Sequence, residues 1–457
     1  MFRKVLIANR GEVALRVART CRELGVASVA VYSTADRGTA VTRFADESVH
    51  IGPPAAGRSY LSAPALLEAA RRTGADAVHP GYGFLSEDPD FAEACAHEGI
   101  TFIGPDWPVL ARLGDKAAAR ELMAAAGLPV LPGGSQPCAD EADCARTAAD
   151  TGYPVIVKAI AGGGGRGMAI AHDPAEISVA FRETRATAEL LYGDDRVFVE
   201  RYLPRARHVE VQVLGDRFGA AVHLGDRDCS VQRRHQKLVE ETPAPGLCEH
   251  TRAAMAEAAV RGVRAAGLVG AATVEFLVDA EQRFYFMEVN ARLQVEHPVT
   301  EMTTGVDVVE CQLRVAAGEP LPITQERVRP RGASVECRIN AEDPEQDFRA
   351  TPGALTEFHL PSGPFVRVDT HFAPGDQVPP FYDPLLAKVV TWGPTRARAI
   401  GRMVRALGEV RVAGPGIRHN VDLLTAVLSD PDFLAGTHST HLLDELRDRL
   451  RTGVGAR

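Results

Sequence analysis

The first hundred residues alternate short apolar runs with amphipathic helical stripes, and that alternation leaves few folds open. Residues 5–8 are an apolar strand; Ala14, Val17, Ala18, Cys21 and Leu24 then recur at helical spacing up to Gly25, and residues 28–32 are the next strand. This is a βαβ unit. A helix over 63–72, a strand over 76–79, a helix over 91–97 and a strand over 101–103 extend it. The expected architecture is a doubly wound parallel sheet. Gly11 stands alone after the first strand, so the three-glycine dinucleotide fingerprint is missing and a nicotinamide-dependent dehydrogenase is disfavoured.

With 457 residues, the chain has room for about three domains. From about residue 130 the pattern changes. A helix over 140–149 and a strand over 155–159 precede G-G-G-G-R-G-M, and four consecutive glycines cannot be a packed element. A loop whose bare amides wrap phosphate oxygens fits them better than a linker, which would favour serine and lack flanking strands. No G-K-[ST] follows, so it is not a Walker loop. Strands over 197–202, 208–214 and 220–224 and a helix over 251–266 come next. Beyond Pro330 the chain is richer in β, proline and glycine, with a helical tail over 395–408 and from 423 onward.

Residues 287–296 read M-E-V-N-A-R-L-Q-V-E. Kept extended, this segment puts Glu288, Asn290, Arg292, Gln294 and Glu296 on one face, backed by Val289, Leu293 and Val295. A solvent-facing strand usually draws on Thr, Ser and Lys, so this row reads as chemistry. Strands over 273–278 and 284–290 form a hairpin that brings Glu275 close to Glu288. Two carboxylates and an amide converging suit Mg²⁺ bridging nucleotide phosphates, and Arg292 is a fork for a small planar oxyanion.

Lysine is scarce: five against 46 arginines. Coding bias explains the trend, which makes each surviving lysine a candidate for needing a compact ammonium. Lys116 opens a helix, Lys158 ends the strand before the glycine loop, and Lys237 closes Q-R-R-H-Q-K. Lys4 reads as a surface residue; Lys388 stays open. Arg233, Arg234 and Lys237 form a local basic cluster, whereas Arg205 and Arg207 read as a solvated edge. The net charge of −9 argues against nucleic acid. Eight cysteines without C-x-x-C spacing argue against zinc and disulfides, and Cys229 reads as structural. With no leader-like start and no apolar run of spanning length, a cytoplasmic location away from the membrane is expected.

Six segments in order resemble biotin carboxylase, an ATP-grasp family: K-V-L-I-A-N-R-G-E, H-P-G-Y-G-F-L-S-E at 79–87, G-G-G-G-R-G-M, R-D-C-S-V-Q-R-R-H-Q-K at 227–237, E-V-N-A-R-L-Q-V-E-H-P-V-T-E at 288–301 and E-C-R-I-N-A-E-D-P at 336–344. The resemblance implies an N-terminal α/β domain over 1–112, an ATP-grasp domain over 113–330 with a mobile lid near 130–203, and a β-rich C-terminal domain over 331–457. It implies that MgATP, with Mn²⁺ as an alternative metal, phosphorylates bicarbonate to carboxyphosphate, which carboxylates biotin. By the same resemblance, Lys116, Lys158, Gly163, Gly164, Gly165, Glu200, Leu203, His208, Gln232, His235 and Leu277 bind the nucleotide, and Glu275, Glu288 and Asn290 hold the metal. Lys237, Arg292, Gln294 and the Val295 backbone fix bicarbonate, Glu296 takes its proton, Arg338 stabilises the biotin enolate, and Tyr82 contacts biotin.

Where the family often has five loop glycines this chain has Ala161 first, and Arg201 stands where lysine is common. The chain has no Met-Lys-Met-type biotin acceptor, so biotin is expected on a separate carboxyl carrier protein, with a carboxyltransferase as further partner and a homodimer as the assembly; the resemblance implies the first half-reaction of an acyl-CoA carboxylase, such as the acetyl-CoA carboxylase of fatty acid biosynthesis. The ATP-grasp core alone would suit another ligase acting through an acyl phosphate; Tyr82 and Arg338 lie outside it and favour biotin. The intact Lys237, Arg292, Glu296 and Arg338 set argues against a silent scaffold.

Overall fold

The computed structural model describes residues 1–134, 136–160, 167–234 and 236–451. Gly163, Gly164, Gly165 and His235, as well as Ala161, lie outside the described residues.

The N-terminal alternation yields a five-stranded parallel sheet in the order Glu47–Gly52, Ala27–Ser33, Lys4–Ile7, Ala77–His79, Thr101–Phe102. The chain winds outward in both directions from Lys4–Ile7, so the crevice between that strand and Ala77–His79 is a topological switch point, where α/β sheets place ligands. Two of the sequence motifs, 8–12 and 79–87, sit at its mouth. Asn9 ties them together, its Nδ2 donating to the carbonyls of Pro80 (2.7 Å) and Tyr82 (2.8 Å). Gly81, at φ +66°, is needed there, because a Cβ would lie 2.8 Å from that same Nδ2.

The central and C-terminal parts share one eight-stranded sheet, in the order Phe284–Asn290, Gly270–Val278, Arg207–Gly215, Ala221–Arg233, Gln236–Thr242, Ala333–Asn340, Leu385–Gly393, Val366–Asp369. All of its pairings are antiparallel. The sheet therefore runs unbroken across residue 330. Ala333–Asn340 alternates as its sequence requires: Val335, Cys337 and Ile339 enter the C-terminal core, while Glu336 and Arg338 take the other face.

The strand expected at 220–224 continues to Arg233. Gly225 (φ +95°) and a register shift between His223 and Asp226 bend it without ending it, so a local turn signal marked a bulge. The strand over 284–290 ends where the hairpin reading puts it, and the alternation beyond it does not stay extended to Glu296. The chain leaves the sheet after Asn290, and Glu296 is the residue before the helix His297–Thr304. Pro298 has no N–H for a ladder and suits the first helical turn, so the pattern continues while the backbone does not.

A separate three-stranded sheet, Met168–Ala171, Val155–Ala159 and Val197–Arg201, packs with helices Glu141–Thr151 and Ile177–Tyr192 around its own core of Cys144, Val155, Val157, Phe181, Val197 and Val199. The chain leading into it comes in close at Gly133, which bridges to Glu200 and whose added Cβ would meet the Val199 carbonyl oxygen at 2.3 Å. Gly133→Ala is expected to lower the free energy of unfolding by roughly 1–3 kcal/mol, the usual cost of overpacking, measurable by denaturant titration.

Candidate active site

Sheet register builds the site. Directly opposed residues on neighbouring antiparallel strands share a face, and here Glu288 opposes Glu275, Glu275 opposes Glu210, and Glu210 opposes Arg227. The hairpin read from the sequence thus brings Glu275 against Glu288 as expected, and a third strand adds Glu210. Three carboxylates in a row repel one another, so the row depends on cations.

Lys237 supplies the central one. Its Nζ lies 2.6 Å from Glu210, 3.0 Å from Glu275 and 2.7 Å from Glu296. Arg227, fully buried, closes the row with its Nε 2.6 Å from Glu210, and its Nη1 donates to Gln212 and Thr300, both at 2.9 Å. His208 Nε2 is 2.7 Å from Glu275, with Gln232 Nε2 2.6 Å from its Nδ1. Burial alone would raise the Glu275 carboxyl, but Lys237 and His208 hold it well below the usual range. Glu288 is raised, by burial, Glu275 and Glu87 against Lys116 and His208. An under-compensated carboxylate beside an ionised one fits a divalent cation. Among the described residues, the groups of three His, Cys, Asp or Glu side chains close enough to hold one ion are His208, Glu210 and Glu275, and Glu210, Cys229 and Glu296, with Glu288 in neither. Asn290 joins from the strand end, its Nδ2 2.8 Å from Glu275.

On the far side of Lys237, Arg338 Nη2 lies 2.8 Å from Glu296 and 2.5 Å from Glu240. Burial raises the Glu296 carboxyl, yet Lys237, Arg338 and Arg227 outweigh it and leave it ionised, the form that accepts a proton. Arg292 spreads its fork over Glu87 (2.7 Å), Gln294 (3.0 Å) and Asn290 (3.0 Å). The loop from Ala291 brings these side chains together, although extended alternation does not. Val295 offers its carbonyl to Lys388 at 2.9 Å, and Tyr82 gives its hydroxyl to Glu12 at 2.5 Å.

On the small three-stranded sheet, Lys158 lies 2.6 Å from Glu200, which Arg120 approaches at 3.4 Å. Lys116 starts the helix Lys116–Ala125 and lines a cleft with Arg120, Ile160 and Phe198; burial lowers its ammonium. Leu277 stands opposite His208, and Leu203 lies just past the strand carrying Glu200. Arg201 turns its side chain away to the Thr151 carbonyl.

Arg207 corrects an expectation: it is no solvated edge, but pairs with buried Asp228 at 2.6 Å, while Arg205 is exposed. Cys229 is wholly buried and its thiol is raised far up by burial and nearby carboxylates, which suits a structural role. Sequence reasoning missed Glu12, Glu87, Glu210, Arg227, Glu240 and Glu336. Glu87 ends one of the sequence motifs and Arg227 begins another, whereas Glu210 carried no local signal.

Family models match in chain order: "Biotin carboxylase, N-terminal domain" over residues 1–110, "Carbamoyl-phosphate synthase L chain, ATP binding domain" over 115–324 and "Biotin carboxylase C-terminal domain" over 336–445. The chain is 50% identical over 446 residues to the biotin carboxylase of Pseudomonas aeruginosa, covering 97% of this chain and 98% of the relative. It belongs to the biotin carboxylase family. The biotin carboxylase of Nostoc is 47% identical, covering 97% of this chain and 99% of that one. A Campylobacter jejuni biotin carboxylase in complex with β,γ-ATP superposes with a TM-score of 0.95 at 43% identity, covering 97% and 99% of the two chains. The biotin carboxylase domain of Hydrogenobacter thermophilus 2-oxoglutarate carboxylase, a dimer with MgADP and bicarbonate, gives 0.93 at 42% identity over 97% and 98%.

One feature of this biotin carboxylase site titrates near neutrality. Glu240 and Glu336 face each other across adjacent strands, both fully buried, and burial pushes Glu240 up to about 7 despite Arg338, with Glu296 adding to the rise. A carboxyl raised from its ordinary 4.5 binds its proton more tightly in the fold, so the stability it gives is complete below about 4.5 and lost as pH rises through about 7. Glu240→Gln, which imitates the protonated group, is expected to match the parent's unfolding midpoint near pH 5 and exceed it at pH 8, measured by thermal melts across that range.

Proposed function

The chain carboxylates biotin at the expense of ATP and bicarbonate, and we propose how its residues divide that work. What carries the reading is Lys237, placed between the Glu275–Glu288 row and the Glu296–Arg338 pair. One side suits nucleotide phosphates and their metal, the other a small oxyanion and its acceptor.

Lys116, Lys158, His208, Gln232 and His235 bind the nucleotide with the amides of Gly163, Gly164 and Gly165. Glu200 and Leu203 hold the adenine edge and Leu277 packs on its ring. Glu275, Glu288 and Asn290 would hold magnesium, or manganese in its place, which neutralises charge on the phosphates. The lid-like sheet at about 130–203 has its own core, which supports its moving as a unit to exclude water from carboxyphosphate. The segments 1–112, 113–330 and 331–457 form the domains around this cleft.

Lys237, Arg292, Gln294 and the Val295 backbone fix bicarbonate in line with the γ-phosphate. These cations are now tied to Glu210, Glu275, Glu296 and Glu87, so the anion enters by taking over bonds already oriented. As Lys237 turns to bicarbonate, Glu296 loses countercharge and becomes a stronger base, suited to taking the bicarbonate proton while the oxygen attacks phosphorus and ADP leaves. Carboxyphosphate then yields carbon dioxide and phosphate. Phosphate takes the ureido proton of biotin, and the nitrogen so freed attacks the carbon dioxide to form carboxybiotin and hydrogen phosphate; Arg338 stabilises the enolate-like oxygen and Tyr82 contacts the ring.

Biotin arrives on a separate carboxyl carrier protein, and a carboxyltransferase consumes the product. A Methanothermobacter thermautotrophicus relative, 47% identical, is named for pyruvate carboxylase, so the half-reaction alone does not define an acyl-CoA as final acceptor. A homodimer is the assembly, as in the Hydrogenobacter relative. Among the described residues no helix is long and apolar enough to cross a membrane, and eight free cysteines support a reducing, cytoplasmic setting.

Glu296→Gln is expected to reduce bicarbonate-dependent ATP cleavage by at least ~100-fold with MgATP affinity nearly intact. Unchanged turnover would remove Glu296 from the role of base. Arg338→Gln is expected to depress biotin carboxylation more than bicarbonate-dependent ATP cleavage, and equal loss of both would contradict its assignment.

A further inference from the structure

Lys388 is a lysine kept in an arginine-rich chain, wholly buried, and unused by the steps above. Register places it directly opposite Arg338 on one neighbouring strand and Asp369 on the other, so it shares the face that carries Arg338. Its Nζ donates to the Val295 carbonyl at 2.9 Å and lies 3.0 Å from Glu12 Oε1 and 3.7 Å from Asp369. Asp369 is already held by both arms of Arg367, at 2.9 and 2.8 Å, which makes Glu12 the closer carboxylate of the ammonium.

Glu12 lies in the first turn of the helix Gly11–Glu23, at the crevice of the parallel sheet. The same oxygen, Oε1, accepts the Tyr82 hydroxyl at 2.5 Å, while Oε2 has no hydrogen-bond partner. A continuous path of short contacts therefore runs from the Tyr82 hydroxyl through Glu12 and Lys388 to the Val295 carbonyl. It joins the N-terminal sheet to the peptide that precedes Glu296.

We propose that the Glu12–Lys388 pair is a positioning bridge, fixing Tyr82 at the biotin end and the Val295–Glu296 peptide at the bicarbonate end in one relation. It rests on the roles given above to Tyr82 and Val295. The chemistry accounts for the lysine. One small ammonium donates to a loop carbonyl and a helix carboxylate and stays within ion-pair distance of a strand carboxylate, whereas a guanidinium fans its donors in one plane. Without Lys388, Glu12 would be a buried carboxylate with a single hydroxyl partner, and Val295 would lose the contact that orients its peptide.

The test compares Glu12→Gln, Tyr82→Phe and their double variant, with KM for MgATP, bicarbonate and free biotin measured separately from kcat. Glu12→Gln is expected to raise the bicarbonate and biotin KM values about tenfold and leave the MgATP value within about twofold, a split that a merely structural residue would not produce. The double variant is expected to be no worse in biotin KM than the worse single, because both act through one bridge. Multiplying costs would overturn the bridge. So would unchanged bicarbonate and biotin constants in Glu12→Gln beside an altered biotin constant in Tyr82→Phe. An unchanged biotin KM in Tyr82→Phe would instead remove Tyr82 from the biotin site and with it the reading beneath the bridge. If Glu12→Gln does not fold, Lys388→Arg keeps both charges and carries the same expectation: raised bicarbonate and biotin KM with MgATP spared.

Discussion

Lys237 is a single ammonium shared by three buried carboxylates, and the site cannot be assembled without it. Like charges directly opposite on neighbouring strands destabilise a sheet, and Glu210, Glu275 and Glu288 are so placed. Arg227 at the Glu210 end and His208 and Lys237 at Glu275 offset that repulsion, and Glu288 at the other end is the least compensated. Breaking one buried ionic partner typically costs about 3–5 kcal/mol, so the arrangement is stable only as a whole. Its cost makes sense where the groups are borrowed during catalysis. Each cation that would hold an anionic substrate is parked on a carboxylate, in place and desolvated, before that substrate arrives.

What could be read from the sequence follows how local each feature is. The hairpin and its Glu275–Glu288 pairing were legible because two strands of clear composition flank a short turn. Glu210 was not, because the strand Arg207–Gly215 pairs with partners on either side that are far from each other in sequence. The alternation through residues 287–296 does not persist as a strand: the strand ends at Asn290, as the hairpin reading has it, and Arg292, Gln294 and Glu296 converge through a loop and a helix start. The strand to Arg233 was cut short at a bulge for the converse reason. The scarcity of lysine flagged Lys116, Lys158 and Lys237 and left Lys388 open, whose buried partners come from three separate elements.

The continuous eight-stranded sheet gives the chemistry a fixed floor, from the carboxylate row to Arg338 and Lys388. The N-terminal sheet contributes its switch-point loops, through Glu12, Tyr82 and Glu87, to the opposite wall. The small three-stranded unit packs around a core of its own. On the proposed assignment, the small unit with its own core would cover the nucleotide and shield carboxyphosphate from water, while the large sheet holds the bicarbonate and biotin groups.

Phosphate release from MgATP by the purified protein, with bicarbonate and free biotin each supplied or withheld, bears most directly on this division of labour. Release should require bicarbonate and rise further with biotin, since phosphoryl transfer needs the oxyanion and biotin drains its product. Release of equal rate with neither present would contradict it, because Lys237, Arg292 and Glu296 would then serve water rather than bicarbonate.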